Sequence, residues 1–217
     1  MLVGERMSTP VITVTPETSM PEAFDRMHKE HIRRLPVVNK AGELVGIIAE
    51  ADLLKASPSE GTTLSIHEMK YLLGRITVAE LMTKPVITVT EDTPLEEAAR
   101  TMVDCEIGGL PVMRGGEVVG IITETTLFRI FMELLGARKV GMRVTAEVPD
   151  TPGELARLAQ AIYERGGNIV ALGTFQGDLP GKGLFTFKVD GITRESLEIA
   201  IHPFVDKIID IRSTTGS

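Results

Sequence analysis

The sequence predicts an α/β chain in two parts: a duplicated unit with internal pseudo-twofold symmetry, then a smaller βαββαβ unit. Three observations carry this. The stretch Met7 to Leu54 recurs as Met82 to Phe128, with roughly half the aligned positions identical and one residue lost at the central turn. Within each copy, runs of strand period alternate with runs of helix period. From Val140 the pattern changes, and strand, helix, two strands, helix and strand follow in that order.

Composition bounds the rest. A chain of 217 residues is long enough for two cores, and 43% hydrophobic against 24% charged residues is the balance of an ordinary globular protein. A net charge of -7 repels nucleic-acid duplexes and anionic membranes, and 4% aromatics without Trp leave few platforms for single strands. Cys105 is the only cysteine, so no internal disulfide and no cysteine-only metal cage can form, which fits a reducing cytoplasm. The start MLVGERMSTP lacks the apolar core of a signal peptide, and no apolar run approaches the ~18 residues of a span. A cytoplasmic chain that touches neither nucleic acid nor membrane is expected.

Each copy opens on a β-branched run, Val11 to Thr15 and Val86 to Thr90, read as a strand. A Thr-initiated helix follows (Thr18, Thr93), with Glu22 and Glu97 placed to satisfy free N–H groups of the first turn. Next come LPVV or LPVM, a glycine-containing turn (Lys40 to Gly42; Gly115, Gly116), and ELVGII or EVVGII, which together predict a hairpin. A second helix is expected from near Ala51 and Thr125. Such a unit of about 50 residues is too small to bury both faces of its sheet, so two copies should pack face to face with clefts between them. Lys55 to Leu81 joins the copies. It opens with Ser57, Pro58, Ser59 and Gly61, then shows a helical pattern in Leu64, Met69, Leu72 and Leu73, fit to pack on the module or a dimer partner.

The duplicated pattern, LPVV before the hairpin and Gly-apolar-apolar-Thr-x-x-Asp after it, resembles the CBS-domain pair, or Bateman module, from Met7 to about Glu133. The resemblance implies clefts for adenosine-containing ligands such as AMP, ADP, ATP or S-adenosylmethionine, the Asp holding ribose hydroxyls and the Thr lying near phosphate. Neither copy carries the whole motif. The first has Gly46, Ala49 and Asp52; the second has Gly120, Thr123 and Thr126. Residues before LPVV line the phosphate end in this family, and here they are Arg33 and Arg34 against Gly108 and Gly109. The first cleft is therefore the expected nucleotide site: Asp52 on ribose, Arg33 or Arg34 on phosphate, Ala49 beside them, and Pro85 and Val86 along the base. The second cleft would be lined by Val11, Gly109, Thr123 and Thr126. The plain alternatives are that Asp52 is a helix cap, the arginines a solvated face, and Thr123 and Thr126 caps of the last helix.

In the C-terminal part, VGMRVTAEV reads as a strand and PDTPGEL leads into an amphipathic helix with Leu155, Leu158, Ala159 and Ile162 on one face, stopped by Gly166 and Gly167. Asn168 to Phe175 and Leu184 to Val189 read as a hairpin, Glu195 to Ile201 as a helix, and Val205 to Ile211 as the last strand. That order is the ferredoxin-like split arrangement. V-x-D-T-P-G-x-L followed by Gly-Asn-Ile resembles an ACT domain over about Met142 to Arg212. The resemblance implies edge-to-edge pairing and an amino-acid site at Asp150, Pro152, Gly153 and Asn168, with helix N–H groups receiving the carboxylate. A loop of Asp, Pro and Gly is equally what any strand-to-helix turn prefers.

The expected domains are residues 1–76 (first repeat with its linker), 77–136 (second repeat) and 140–213 (the ACT unit). Two CBS repeats followed by an ACT unit resemble the acetoin-utilisation AcuB-type proteins. This implies a free-standing sensor, a homodimer without catalytic residues or cofactor, that modulates a partner enzyme of small-carbon metabolism. The alternative left open is a scaffold that assembles without ligand. His28 and His31, with Glu30 beside them, read as a solvated helix face and no metal site. Cys105 is expected to be a small buried filler, and Gly181-Lys182-Gly183 a turn.

Overall fold

The computed structural model describes residues 1–56, 73–177 and 179–215. The turn formers 57–61 and the helical positions Leu64, Met69 and Leu72 lie outside the described residues. The chain divides into two compact units, Met1–Leu127 and Phe128–Ser217.

The first unit holds both repeats. The first comprises α1 (Met20–Lys29), β1 (Arg34–Val38), β2 (Leu44–Ala49) and α2 (Glu50–Ala56). The second comprises α3 (Val78–Leu81), β3 (Val89–Thr90), α4 (Leu95–Asp104), β4 (Gly109–Arg114), β5 (Glu117–Thr123) and α5 (Glu124–Leu134), whose later residues fall in the second unit. The two hairpins are antiparallel in equivalent register, Pro36 opposite Ile47 and Pro111 opposite Ile121. Helix spacing repeats as well: α1 buries Met20, Ala23 and Met27, and α4 buries Leu95, Ala98 and Met102. Full burial of a Met or Leu side chain stabilises by roughly 1.5–3 kcal/mol.

Three local expectations are corrected. In the first β-branched run only Val14 pairs, in parallel with Val37, whereas in the second Val89 and Thr90 pair with Val112 and Met113. Pro10 and Pro16 bracket the first run and neither can donate an N–H, while the second has Glu91 where Pro16 stands. Thr18 and Thr93 do not start the helices. Their hydroxyls accept from Thr15 N and Thr90 N, each at 3.1 Å, closing the turn one step earlier, and Ser19 and Pro94 take the N-cap positions. Cys105 is exposed, at the C-cap of α4.

The repeats also begin earlier than Met7 and Met82. Val3-Gly4-Glu5-Arg6-Met7-Ser8-Thr9-Pro10 matches Val78-Ala79-Glu80-Leu81-Met82-Thr83-Lys84-Pro85 at Val, Glu, Met and Pro, and each segment sits on the other repeat. Val78 is fully buried in the core of the first repeat with Met20, Leu35, Ile48 and Leu53. Val3 is fully buried and donates to Thr93 O at 2.9 Å in the second. Thr83 pairs with Ile47, and Ser8 with Ile121. In each segment the glutamate reaches back to the backbone N–H three residues earlier, Glu5 to Leu2 at 2.8 Å and Glu80 to Thr77 at 3.0 Å.

The second unit carries a four-stranded antiparallel sheet of β6 (Gly141–Pro149), β7 (Asn168–Gln176), β8 (Lys182–Asp190) and β9 (Lys207–Thr214), in the order β7-β8-β6-β9. Helices α6 (Glu154–Glu164) and α7 (Arg194–Ile201) supply Leu158, Ile162, Leu197 and Ile201 to a core with Val144, Ala146, Phe187 and Val189. Leu155, expected on the buried face, is 40% exposed, and Glu154 is buried in its place. The residues alternating with the core positions carry polar groups: Thr145 and Thr186 lie opposite each other with hydroxyls 3.1 Å apart. Lys188, 3% exposed, donates to Gly136 O at 2.7 Å and Lys139 O at 2.8 Å. A buried ammonium thus holds the 136–139 segment through its carbonyls.

Candidate functional site

The exchange of leading segments builds the first cleft. Pairing of Thr83 with Ile47 lays residues 83–87 alongside β2, and the turn after α4 closes the other side. The result is a cavity of about 280 Å³ lined by Arg34, Ala49, Asp52, Pro85, Val86 and Glu106, among others. Next to the lining residues Ile47 and Thr83, Gly46 lies against Met82, and a Cβ there would meet the Met82 side chain, at 2.9 Å from Cγ and 3.1 Å from Cβ. Gly120 stands in the same relation to Met7. The glycine of the repeated hairpin motif is therefore a seat for the methionine of the other repeat.

Asp52 lies in the first turn of α2, where its Oδ2 accepts from Ala49 N at 3.0 Å. The cap reading and the binding reading are compatible, since Oδ1 has no hydrogen-bond partner among the described residues. Arg34 lies across Gly108, where a Cβ would fall 2.7 Å from its Cζ. Its guanidinium stands 3.8 Å from Glu124, and burial pushes its pKa below the usual arginine value, against the pull of Glu124.

Arg33 and Arg34 do not act together. Arg33 is absent from the lining of this cavity, is exposed, and donates to Thr125 Oγ1 at 3.1 Å in the second repeat. Adjacent residues entering a strand point to opposite sides. The repeat places Arg33 where Gly108 stands in the first cleft: Glu50 N donates to Arg33 O at 2.9 Å, and Glu124 N to Gly108 O at 3.2 Å. Gly109, expected in the second cleft, lines the first cavity beside Gly108 instead, while Thr123 and Thr126, which lie outside that lining, have their hydroxyls 3.3 Å apart. Val11 follows Ser8, which pairs with Ile121 of β5.

Glu106 escaped the sequence reading. It lines the first cavity from the residue after the α4 cap, at φ +53°, and His31 occupies the same place after α1 at φ +54°. Both turns close the same way, Ile107 N to Met102 O and Ile32 N to Met27 O, each at 2.9 Å, a motif that normally carries glycine. The signal lay in the repeat alignment itself: a residue other than glycine at both helix ends. His28, set aside as a metal ligand, lies 3.6 Å from Glu50 and packs on Phe24.

The four ACT positions are not brought together within one chain. Asp150, Pro152 and Gly153 follow the end of β6 that pairs with Lys182, whereas Asn168 pairs with Asp190 at the opposite end of β8. Strand rise sets the two groups roughly 25 Å apart. At the start of α6, Thr151 Oγ1 and Arg157 Nη2 donate to Glu154 Oε1 at 2.8 and 2.6 Å, so a carboxylate of the chain itself already occupies that turn. Asn168 is exposed on an edge strand.

Two interlocked repeats enclose this cavity between them, and a ferredoxin-like unit follows them in the chain. The sequence matches the CBS domain at residues 3–59 and 78–133 and the TTHA0829-like ACT domain at 140–212. The chain belongs to the CBS-domain family, with its CBS pair followed by an ACT domain. It is 30% identical over 136 residues to a CBS domain-containing protein of Dictyostelium discoideum, 62% of this chain and 94% of that one. The crystal structure of the CBS domain pair of protein MJ0100, in complex with 5'-methylthioadenosine and S-adenosyl-L-methionine, matches at 34% identity and a TM-score of 0.51, covering 64% of this chain and 98% of that one. A putative acetoin utilization protein (AcuB) from Vibrio cholerae matches at 29% identity and a TM-score of 0.52, over 63% of this chain and 93% of that one. Of other relatives the chain spans less: 23% of the L-aspartate semialdehyde sulfurtransferase of Methanocaldococcus jannaschii, at 35% identity.

Proposed function

We propose that the chain is a regulatory sensor that acts by binding and not by catalysis, taking an adenosyl ligand in the first cleft. The observation that carries this is the cavity in which Asp52 and Arg34 of one repeat face Pro85 and Val86 of the other. A carboxylate suits a ribose diol, and an apolar wall suits a base. A relative with the same repeat pair is known with two adenosyl ligands in complex. The ligand draws the repeats together, and a cytoplasmic partner enzyme of small-carbon metabolism reads the change. The exposed β7 edge fits pairing of two chains, and only such pairing can unite Asn168 of one protomer with Asp150, Pro152 and Gly153 of its partner as an amino-acid site.

Thermal shift and calorimetry on the full chain with AMP, ADP, ATP, S-adenosylmethionine and 5'-methylthioadenosine test the reading. A ligand at a hundred times its Kd stabilises by about 2.7 kcal/mol. Asp52→Ala removes charge-assisted bonds worth roughly 1.5–3 kcal/mol and should weaken binding about 10- to 100-fold. Absence of binding by every member of the panel would mean a ligand-free scaffold.

A further inference from the structure

We infer that the C-terminal unit holds a binding site for a small phosphate-bearing anion at the end of α5, separate from the cleft between the repeats.

Within that unit a cavity of about 580 Å³, against about 280 Å³ for the first cleft, is lined by Arg129, Met132, Glu133, Gly136, Arg138 and Lys139. Met132 and Glu133 follow Arg129 by three and four positions and so share its helix face. The chain turns at Gly136 and brings Arg138 and Lys139 to the same space. Three cations thus face one acid, in a chain whose net charge is -7. The guanidinium groups of Arg129 and Arg138 have no hydrogen-bond or ion-pair partner among the described residues, and Lys139 Nζ reaches Val170 O at 3.4 Å.

Three features set this wall apart from a solvated basic face. The turn is fixed: Gly136 stands at φ +59°, where a Cβ would fall 3.0 Å from the Ala171 side chain, and Lys139 N returns to Gly136 O at 3.0 Å. A further cation stands behind it, since the ammonium of Lys188, 3% exposed and outside the lining, lies 2.7 Å from Gly136 O and 2.8 Å from Lys139 O. Buried charge is screened less than surface charge. The helix end, which would otherwise repel an anion, has its carbonyls occupied: Phe131 O, Met132 O and Glu133 O accept from Leu135 N, Ala137 N and Gly136 N at 3.1, 2.8 and 3.0 Å. Two guanidinium forks and an ammonium suit a phosphate, whose three terminal oxygens can be shared among them, better than a carboxylate with its single bidentate edge. Met132 adds apolar surface for a carbon skeleton.

Calorimetry on the full chain with pyrophosphate, glycerol 3-phosphate and citrate, with and without excess 5'-methylthioadenosine, tests this, and melting curves show that each variant folds. At least one phosphate compound should bind about fivefold or more tighter than citrate and be indifferent to 5'-methylthioadenosine. Whichever of the two binds tighter tells an inorganic oligophosphate from a phosphorylated metabolite. Arg129→Gln and Arg138→Gln should each weaken that compound about fivefold or more, and Arg165→Gln, at an exposed cation outside the lining, by less than about twofold. No phosphate binding, citrate binding as tightly, displacement by 5'-methylthioadenosine, or equal losses in all three variants would each overturn the site. Failure of 5'-methylthioadenosine itself to bind would count against the sensor reading of the first cleft alone.

Discussion

Replacing Gly46 with Ala probes the device on which the first cleft depends. The added methyl would press on the Met82 side chain, 2.9 Å from Cγ and 3.1 Å from Cβ. The sulfur and Cγ can swing away by side-chain rotation at the cost of a less favourable rotamer; Cβ, at 3.1 Å, moves only if residues 81–83 move with it. Those residues are pinned, since Thr83 N donates to Ile47 O at 2.8 Å and Ile47 N to Thr83 O at 3.1 Å. Overpacking of this kind costs roughly 1–3 kcal/mol. Relief at Cβ displaces Thr83, Pro85 and Val86 from the cavity wall, so ligand affinity should fall together with stability. Denaturant unfolding of Gly46→Ala, Met82→Ala and the double variant reads the coupling. Because shortening Met82 vacates the space that the added methyl needs, the double variant should be at least ~1 kcal/mol more stable than the sum of the single changes. Additivity within ~0.4 kcal/mol would refute the claim that the repeated glycine seats the methionine of the other repeat.

In the C-terminal unit, Lys188→Met keeps the apolar stem but strips the carbonyls of Gly136 and Lys139 of their buried donor. A loss of roughly 1–3 kcal/mol in that unit's unfolding free energy is expected, and unchanged or raised stability would show that desolvation of the ammonium outweighs its bonds. Asp210 is held below the usual carboxylate range, first by its hydrogen bonds from Arg212 and then by the charges of Arg212 and Arg143. With the folded pKa below the unfolded one, its stabilisation is complete above the unfolded value near 3.8 and is lost as pH falls through the lower, folded value. Asp210→Asn should flatten the acid limb of a stability–pH curve measured between about pH 5 and 2, and an unaltered limb would remove Asp210 from the account.

Much of this protein was legible in its residues because repetition and period are local properties. The duplicated hairpin, the amphipathic spacing of α1 and α4 and the βαββαβ order follow from patterns read along the chain, whereas the grouping of Asp52, Ala49 and Arg34 with Pro85 and Val86 is what the CBS resemblance implies, and these residues line one cavity. So did the chemical inequality of the two copies, one keeping the acid and the other the hydroxyl. Segment exchange was legible only in part. The Val-x-Glu-x-Met match before each repeat is visible in the sequence, but it does not say on which repeat the segment rests.

Tertiary structure decided what depends on residues distant in sequence meeting in space. Arg33 and Arg34 are neighbours in the chain, yet strand geometry sends Arg34 into the cavity and Arg33 out to Thr125. Thr18 and Thr93 have the composition of caps, and the turn before each helix claims their hydroxyls. Asn168 and Asp150 belong to one family pattern, and a β-strand's length separates them. Glu106 and His31 looked like ordinary polar residues at helix ends until the fold turned one of them into a cavity wall. A sequence states which groups are available. Which of them share a cleft, and hence the sign of its charge, is set by strand direction and by the exchange of segments between the repeats.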